Sequence, residues 1–345
     1  MRILCLLLLL VVGITQAQVM SLPALRAGEV SVSGLSSGAF MAVQFEVAFS
    51  RTVIGAGVIA GGPYFCAQGN VLTATTRCSC TSELNNCQVR SGGTRVPELI
   101  AITDWFAATR SIDPTSALAG HRIWMLSGSL DSVVPQAVMN DLFSYYRHYI
   151  GAGNISYQRK LAAQHAFPTN TYGRACSALG SPYINNCNYD AAGALLAWIY
   201  GPLAARSNAP AGRFVAFDQS EFIAAPSWHG MSDTGYLYIP PACEAGGCRL
   251  HVAFHGCQQS QDNIGMLFVR HAGYNAWADN NRLLILYPQT TATYANPNAC
   301  WDWRAHDDTR YAQKTGRQMA AIKRMLDRLG GSPTVLLICR RGRCT

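Results

Sequence analysis

Gly34-Leu35-Ser36-Ser37-Gly38 has the spacing of a turn that presents a serine hydroxyl as a nucleophile. Such a serine sits at the apex of a sharp strand-to-helix turn. It needs small residues two positions before and after it, so that strand and helix can approach. Ser36 meets this requirement with Gly34 and Gly38; Ser37 does not, because Leu35 is too large. In a chain with 31 glycines the pattern can arise by chance, so its setting decides. Val30 to Ser33 reads as a short strand ahead of the turn. Ser37 to Phe49 reads as a helix with apolar Phe40, Val43, Phe45 and Val47.

A serine hydroxyl attacks only beside a base, itself oriented by an acid. In α/β-hydrolases these follow in the order Ser, Asp, His. The segment Arg122 to Leu126 reads as a strand, followed by Gly128-Ser-Leu-Asp131; Asp131 therefore falls at the carboxyl end of a strand, where open α/β sheets bind ligands. Tyr157 to Ala162 reads as the next strand, with His165 just past it. His229 and His255 are the rivals for the base; order and strand-end position favour His165. The backbone N–H of Ser37, the residue after the nucleophile, is the first donor for an oxyanion.

The elements that position these groups alternate along the chain. Helices are expected over Val96 to Thr109, Pro135 to Ile150, Asp190 to Tyr200, Leu267 to Asp279 and Thr309 to Leu329. Strands are expected over Thr52 to Ile59, Tyr236 to Pro240, Arg249 to Phe254 and Leu283 to Tyr287. Alternation of this kind gives an α/β fold with a mostly parallel central sheet flanked by helices. The second oxyanion donor usually comes from a His-Gly loop ahead of the nucleophile. Here the His-Gly loop, His255-Gly-Cys-Gln-Gln259, lies far downstream of Ser36. Circular permutation of an α/β-hydrolase fold, with the nucleophile strand made N-terminal, accounts for that order. It predicts that residues near Leu329 lie beside residues near Val30, and that Arg249 to Phe254 joins the nucleophile strand's sheet.

Composition sets the compartment. The chain is 49% hydrophobic and only 13% charged, which excludes disorder and argues against a cytosolic housekeeping enzyme. Met1-Arg2, an apolar run Ile3 to Val12, and small Thr15 and Ala17 read as a signal peptide over residues 1–17, with 18–345 as a single catalytic domain. The run is too short to span a bilayer, so no membrane association is expected after cleavage. Cleavage removes Cys5 and leaves an even set of cysteines, read as a disulfide framework of a protein exported to the extracellular space, or alternatively the periplasm. Local spacing pairs Cys243 with Cys248, Cys339 with Cys344, and Cys176 with Cys187. It leaves Cys257 for Cys300, and leaves the pairing of Cys66, Cys78, Cys80 and Cys87 open. Cys78-Ser79-Cys80 has the wrong spacing for zinc and no metal or other cofactor is expected. The net charge of +8 comes from scattered arginines, apart from Arg340-Arg341-Gly-Arg343, so nucleic acid is not an expected partner.

Taken together, Gly34-Leu-Ser-Ser-Gly38, Gly128-Ser-Leu-Asp131, His165-Ala-Phe-Pro168, Gly235-Tyr-Leu-Tyr-Ile-Pro240, His255-Gly-Cys-Gln-Gln259 and Asn298-Ala-Cys-Trp-Asp-Trp303 resemble secreted polyhydroxybutyrate (PHB) depolymerases of the single-domain, circularly permuted type. The resemblance spans about residues 27 to 330. It implies Ser36 as nucleophile, His165 as base and Asp131 as its partner, with the amides of Ser37 and Cys257 as oxyanion donors. It implies that a tryptophan, Trp303 or Trp301, lines the cleft for a polyester polymer or oligomer, and a monomeric enzyme without a separate polymer-binding domain. The stretch Cys66 to Cys87 and the tail Arg340 to Thr345 have no counterpart in the pattern. A feruloyl or acetyl-xylan esterase on the same scaffold is the alternative activity, and a non-catalytic surface-binding protein the alternative class. The low charge predicts a weakly charged, apolar rim around Ser36.

Overall fold

A computed structural model of the chain describes residues 19–84 and 86–331, with the backbone alone of the short strands Cys339–Arg340 and Arg343–Cys344. The expected signal peptide lies outside the described residues. The chain runs β1 (Val30–Leu35), α1 (Ser37–Ala48), β2 (Val53–Ile59), α2 (Val71–Thr76), α3 (Val96–Ala108), β3 (Arg122–Leu126), α4 (Gln136–Tyr149) and β4 (Ile155–Gln158). There follow three short strands, β5 (Phe167–Thr169), β6 (Arg174–Ala175) and β7 (Ile184–Asn186), then α5 (Ala191–Tyr200), β8 (Arg213–Asp218), β9 (Thr234–Ile239) and β10 (Arg249–Phe254). The last part is α6 (Gln261–Ile264), α7 (Leu267–His271), α8 (Tyr274–Asn281), β11 (Leu283–Tyr287), α9 (Arg317–Leu329), β12 (Cys339–Arg340) and β13 (Arg343–Cys344).

Eight strands form one sheet in the order β4-β3-β2-β1-β10-β11-β9-β8. The pairs from β4 through β11 are parallel; β9 and β8 are antiparallel additions at one edge. This is the expected α/β fold. Val30 and Val32 of β1 belong to an apolar cluster with Met41 and Phe45 of α1 and Met325 of α9. The other face packs Leu195 and Leu196 of α5 and Ala278 of α8. With helices on both faces, β1 is buried throughout and its sequence is not free to be polar without partners.

Ser31 and Ser33 nevertheless face that interior. Ser31 sits beside His251 of β10 in the parallel register. The imidazole lies between them, Nδ1 2.6 Å from Ser31 Oγ and Nε2 2.7 Å from Ser33 Oγ. Burial pushes His251 down to about 3, so the ring is neutral. One proton arrangement satisfies every group. Nδ1–H donates to Ser31, Ser31 to the Tyr200 hydroxyl and Tyr200 to the Leu250 carbonyl; on the other side the Tyr274 hydroxyl donates to Ser33, and Ser33 to Nε2. The strand that leads to Ser36 is thereby tied sideways to β10.

Both expected junctions are present. β10 pairs directly with β1, and the Leu329 carbonyl accepts from the amides of Leu25 and Ala27 at 3.1 and 2.9 Å. Three expectations of element extent are corrected. The long helix begins only at Arg317, because Asp308 accepts from the amides of Arg310 and Arg317 and folds residues 308–316 into turns. The helix over Leu267 to Asp279 breaks between α7 and α8 at Gly273, whose φ is 98°. The strand expected over Tyr157 to Ala162 is β4, Ile155–Gln158. The chain then leaves the sheet, and the Leu161 and Ala163 carbonyls instead hold the amides of Ser129 and Leu130 in the neighbouring loop. His165 therefore follows a loop rather than a strand.

The disulfides Cys176–Cys187, Cys243–Cys248 and Cys257–Cys300 match the spacing argument. The open cluster pairs as Cys66–Cys78 and Cys80–Cys87. Cys339 and Cys344 stand opposite each other in β12 and β13, while a bridge between them lies outside the described residues.

Helix α1 is buried on every side, including Glu46. Its carboxylate meets Nδ1 of buried His121, whose Nε2 lies 2.9 Å from the Ser50 carbonyl; Tyr146 donates to the other Glu46 oxygen at 3.1 Å. Both ring nitrogens face acceptors, so both carry protons and the ring is an imidazolium. Burial works against that charge, but the hydrogen bond to and charge of Glu46 carry the His121 pKa above its ordinary value. This pair stabilises the fold fully below the unfolded histidine pKa of about 6.5, and loses its contribution as pH rises through the raised folded value. Thermal melts over about pH 5 to 9 should therefore show the wild-type midpoint falling on the alkaline side, with a flatter profile in Glu46→Gln, which removes the charge and keeps an acceptor for the His121 Nδ1–H. His121→Phe should cost about 3–5 kcal/mol by stranding the carboxylate. Parallel pH profiles for wild type and Glu46→Gln would count against the ion pair.

Candidate active site

Ser36 joins β1 to α1 with φ 56° and ψ −124°, a region that a residue with a side chain rarely occupies. The turn is held by the Ser36 amide donating to the Ile59 carbonyl at the end of β2, and by its own carbonyl accepting from Ala39 and Phe40. A Cβ on Gly34 would lie 2.2 Å from the Gly38 carbonyl oxygen. One on Gly38 would lie 2.3 Å from that of His255 and 2.4 Å from that of Phe254. The glycines that selected Ser36 in the sequence are thus forced by backbone contacts, and the second contact is with the end of β10.

Asp131 and His165 come together. Nδ1 of His165 donates to Asp131, 2.9 Å from Oδ2 and 3.2 Å from Oδ1. Oδ1 also accepts from the amides of Val133 and Val134 at 2.9 and 2.8 Å, which fixes the carboxylate. Gln164 Oε1 accepts from the amides of both Ser132 and His165, stapling the Asp131 loop to the His165 loop. Both side chains are almost fully buried. His165 and Ser36 line the same cavity, of about 590 Å³. This size suits a small ligand or a few residues of a polymer.

The rival histidines are committed elsewhere. His255 is fully buried and pushed down to about 4 by that burial. Its Nδ1 donates to the Gly256 carbonyl and its Nε2 faces the Thr290 amide. His229 pairs with Asp307. His255 instead shapes its own loop. Gly256 brings that loop to Ser36, where a Cβ would sit 3.4 Å from the Ser36 Cβ. The Gly256 amide donates to Gln259 Oε1 and the Gln258 amide to the Asn298 carbonyl. The Cys257–Cys300 bridge joins the two loops covalently. Ser37 and Cys257 both line the cavity. The Ser37 amide opens α1, a position whose N–H has no acceptor within the helix.

Of the two tryptophans, Trp303 lines the cavity, stacked on Phe40 with ring centroids 4.1 Å apart. Trp301 is corrected: it is fully buried, its indole N–H donating to the His255 carbonyl from beneath the loop. One ring is thus sealed beneath the loop while the other faces the cavity, so the two do not share one role. The cysteine-rich stretch, which no motif explained, forms a wall of the cavity. Cys66–Cys78 and Cys80–Cys87 shape it, the Cys80 amide docks on the Val133 carbonyl beside Asp131, and Val71, Glu83 and Leu84 line the opening. Tyr183 and Arg304 were also missed. No residue pattern marks them, since they reach the site only through loops.

No family model matches the chain. It is 40% identical over 334 residues to the polyhydroxybutyrate depolymerase of Talaromyces funiculosus, covering 91% of this chain and 94% of that protein. The chain belongs to the polyhydroxybutyrate depolymerase family. These are carboxylic ester hydrolases, and the fold is that of an α/β-hydrolase. The poly(3-hydroxybutyrate) depolymerase of Delftia acidovorans is 46% identical over 326 residues, which is 92% of this chain but 63% of that protein's length. Among solved structures, that of PHB depolymerase from Penicillium funiculosum matches with a TM-score of 0.81 and 38% identity, over 91% of this chain and all of that one. A serine-to-alanine variant of PHB depolymerase complexed with an R3HB trimer matches with the same values.

Because Gly38 is in backbone contact with two carbonyls, Gly38→Ala should destabilise the fold by about 1–3 kcal/mol, read as a lowered thermal midpoint. Gly153→Ala, where a Cβ meets nothing within 4 Å, should stay within about 0.5 kcal/mol of wild type. Equal midpoints for the two variants would contradict the packing argument.

Proposed function

We propose that this protein is a secreted serine esterase that hydrolyses poly(3-hydroxybutyrate)-type polyesters to oligomers and 3-hydroxybutyrate. One observation carries the reading: in a chain of this family, Ser36 on its strained turn and His165, held by Asp131, line a single cavity beside the Cys257 loop. His165, with Nδ1 committed to Asp131, offers Nε2 as base. It takes the Ser36 proton as Oγ attacks the ester carbonyl, and returns it to the departing 3-hydroxyl of the chain. The amides of Ser37 and Cys257 hold the oxyanion, each worth roughly 3–4 kcal/mol when removed. Water activated by His165 then hydrolyses the acyl-enzyme. Trp303 presents an apolar wall to the methyl-bearing chain.

Export is supported by the five disulfides and by the sequence pattern of residues 1–17. Circular permutation is supported by β1 pairing with β10 and by the Leu329 contacts to Leu25 and Ala27. Adsorption to solid polymer would fall to the rim of the cavity, where Val71 is 57%, Leu84 79% and Leu179 45% exposed. Exposed apolar side chains grouped around a site mark a contact surface.

Ser36→Ala should lower turnover of amorphous PHB and of p-nitrophenyl butyrate by roughly 10⁴-fold or more, and Asp131→Asn by about 10⁴-fold through loss of the productive tautomer. Products are read by chromatography, with feruloylated xylan as control. Wild-type rates in Ser36→Ala would refute the nucleophile, and release of ferulate without PHB cleavage would refute the substrate. Paired Leu84→Ser and Leu179→Ser should reduce the fraction of protein depleted from solution by a PHB film. Undiminished depletion would place adsorption elsewhere.

A further inference from the structure

Arg304 follows Trp303 into the cavity wall and is half-buried there. Among the described residues its guanidinium makes no hydrogen bond, ion pair or cation–π contact. Burial lowers its pKa, and the carboxylate of Asp302 works in the other direction without reaching ion-pair distance. Asp302 is itself saturated: its oxygens accept from the amides of His306, Asp307 and Asp308. A guanidinium keeps its charge under all ordinary conditions, so leaving it half-buried and unpaired has a standing cost in desolvation. That cost is recovered when a ligand supplies the missing anion.

The substrate class narrows which anion. Within a poly(3-hydroxyalkanoate) chain every repeat is a neutral ester; a charge exists only at the carboxyl terminus, or on the free acid released. A planar guanidinium fork matches a carboxylate with two parallel hydrogen bonds, whereas one ester carbonyl uses only a fraction of it. The remaining side chain of fixed charge on the lining is Glu83, which would repel a carboxylate. Arg304 is therefore the group on the lining suited to an anion. We infer that Arg304 is a subsite for the terminal carboxylate of a polyester chain or oligomer, so that the protein favours carboxyl-ended chains over the same chains capped as neutral esters. This inference rests on the polyester reading of the site and adds chain-end recognition to it.

The test compares the linear 3-hydroxybutyrate trimer as free acid and as methyl ester, at a pH where the acid is ionised. In wild type the acid should have the higher kcat/KM, by ~10-fold to ~100-fold, the worth of a charge-assisted hydrogen-bonded pair. Arg304→Met should bring the ratio of acid to ester near one, through a raised KM for the acid, and Arg304→Lys should retain part of the preference. The wild-type ratio should also shrink with added salt. A ratio unchanged in Arg304→Met, or equal losses on acid and ester, would overturn the subsite. Calorimetric binding of the trimer acid and of its methyl ester to Ser36→Ala and to Ser36→Ala/Arg304→Met reads the same preference without turnover. If wild type cleaves neither trimer, the esterase reading fails; the calorimetric comparison still decides the subsite, because an unchanged acid-to-ester affinity ratio in the double variant would overturn it and a ratio brought toward one would uphold it.

Discussion

At the carboxyl ends of β1 and β10 two backbones touch. Gly38, in the first turn of α1, lies so close to the carbonyls of Phe254 and His255 that a single methyl group would collide with both. Most of the site depends on this contact. It places the first turn of α1 against the His255 loop, and so sets the Ser37 amide, the Cys257 loop and the Ser36 side chain into one corner of the cavity. The positive φ of Ser36 is the local strain that the contact requires, and the surrounding sheet holds it.

The supports around that corner act from different directions. His251 ties β1 to β10 from within the sheet, through serines that would otherwise be unsatisfied polar groups in an apolar interior. The Cys257–Cys300 bridge and the Gln258–Asn298 hydrogen bonds brace the loop from outside. Trp301 fills the space beneath and Trp303 faces the cavity. Asp131 and His165 arrive on separate loops, which the shared acceptor Gln164 keeps in register. Side chains held in this way are fixed in place before any ligand enters.

The low charge of the chain acquires a structural meaning. The few buried charges are paired or hydrogen-bonded, as in Glu46–His121 and Asp131–His165. Disulfides rather than ion-pair networks staple the loops around the cavity. The exposed rim carries apolar Val71, Leu84 and Leu179 beside the carboxylate of Glu83, with half-buried Arg304 in the wall.

How much of this was legible in the residues follows from how local each cause is. The Ser36 turn could be read because one glycine contact, Gly34 against the Gly38 backbone, is local, although Gly38 itself answers to the distant end of β10. Most strands and helices could be read because their periodicity reports which face is buried. The proximity of Asp131 and His165 could be anticipated from strand order, although His165 follows a loop rather than the strand expected. Cys176–Cys187 and Cys243–Cys248 followed from spacing, whereas the pairing within Cys66 to Cys87 did not. The break at Gly273 and the late start of α9 were hidden, because hydrogen bonds from Asp308 and a single left-handed glycine override an otherwise helical pattern. The role of the Cys66–Cys87 stretch, the choice between Trp301 and Trp303, and the isolation of Arg304 were decided only by the tertiary structure. Each depends on which distant loop lies opposite, and sequence spacing carries no record of that.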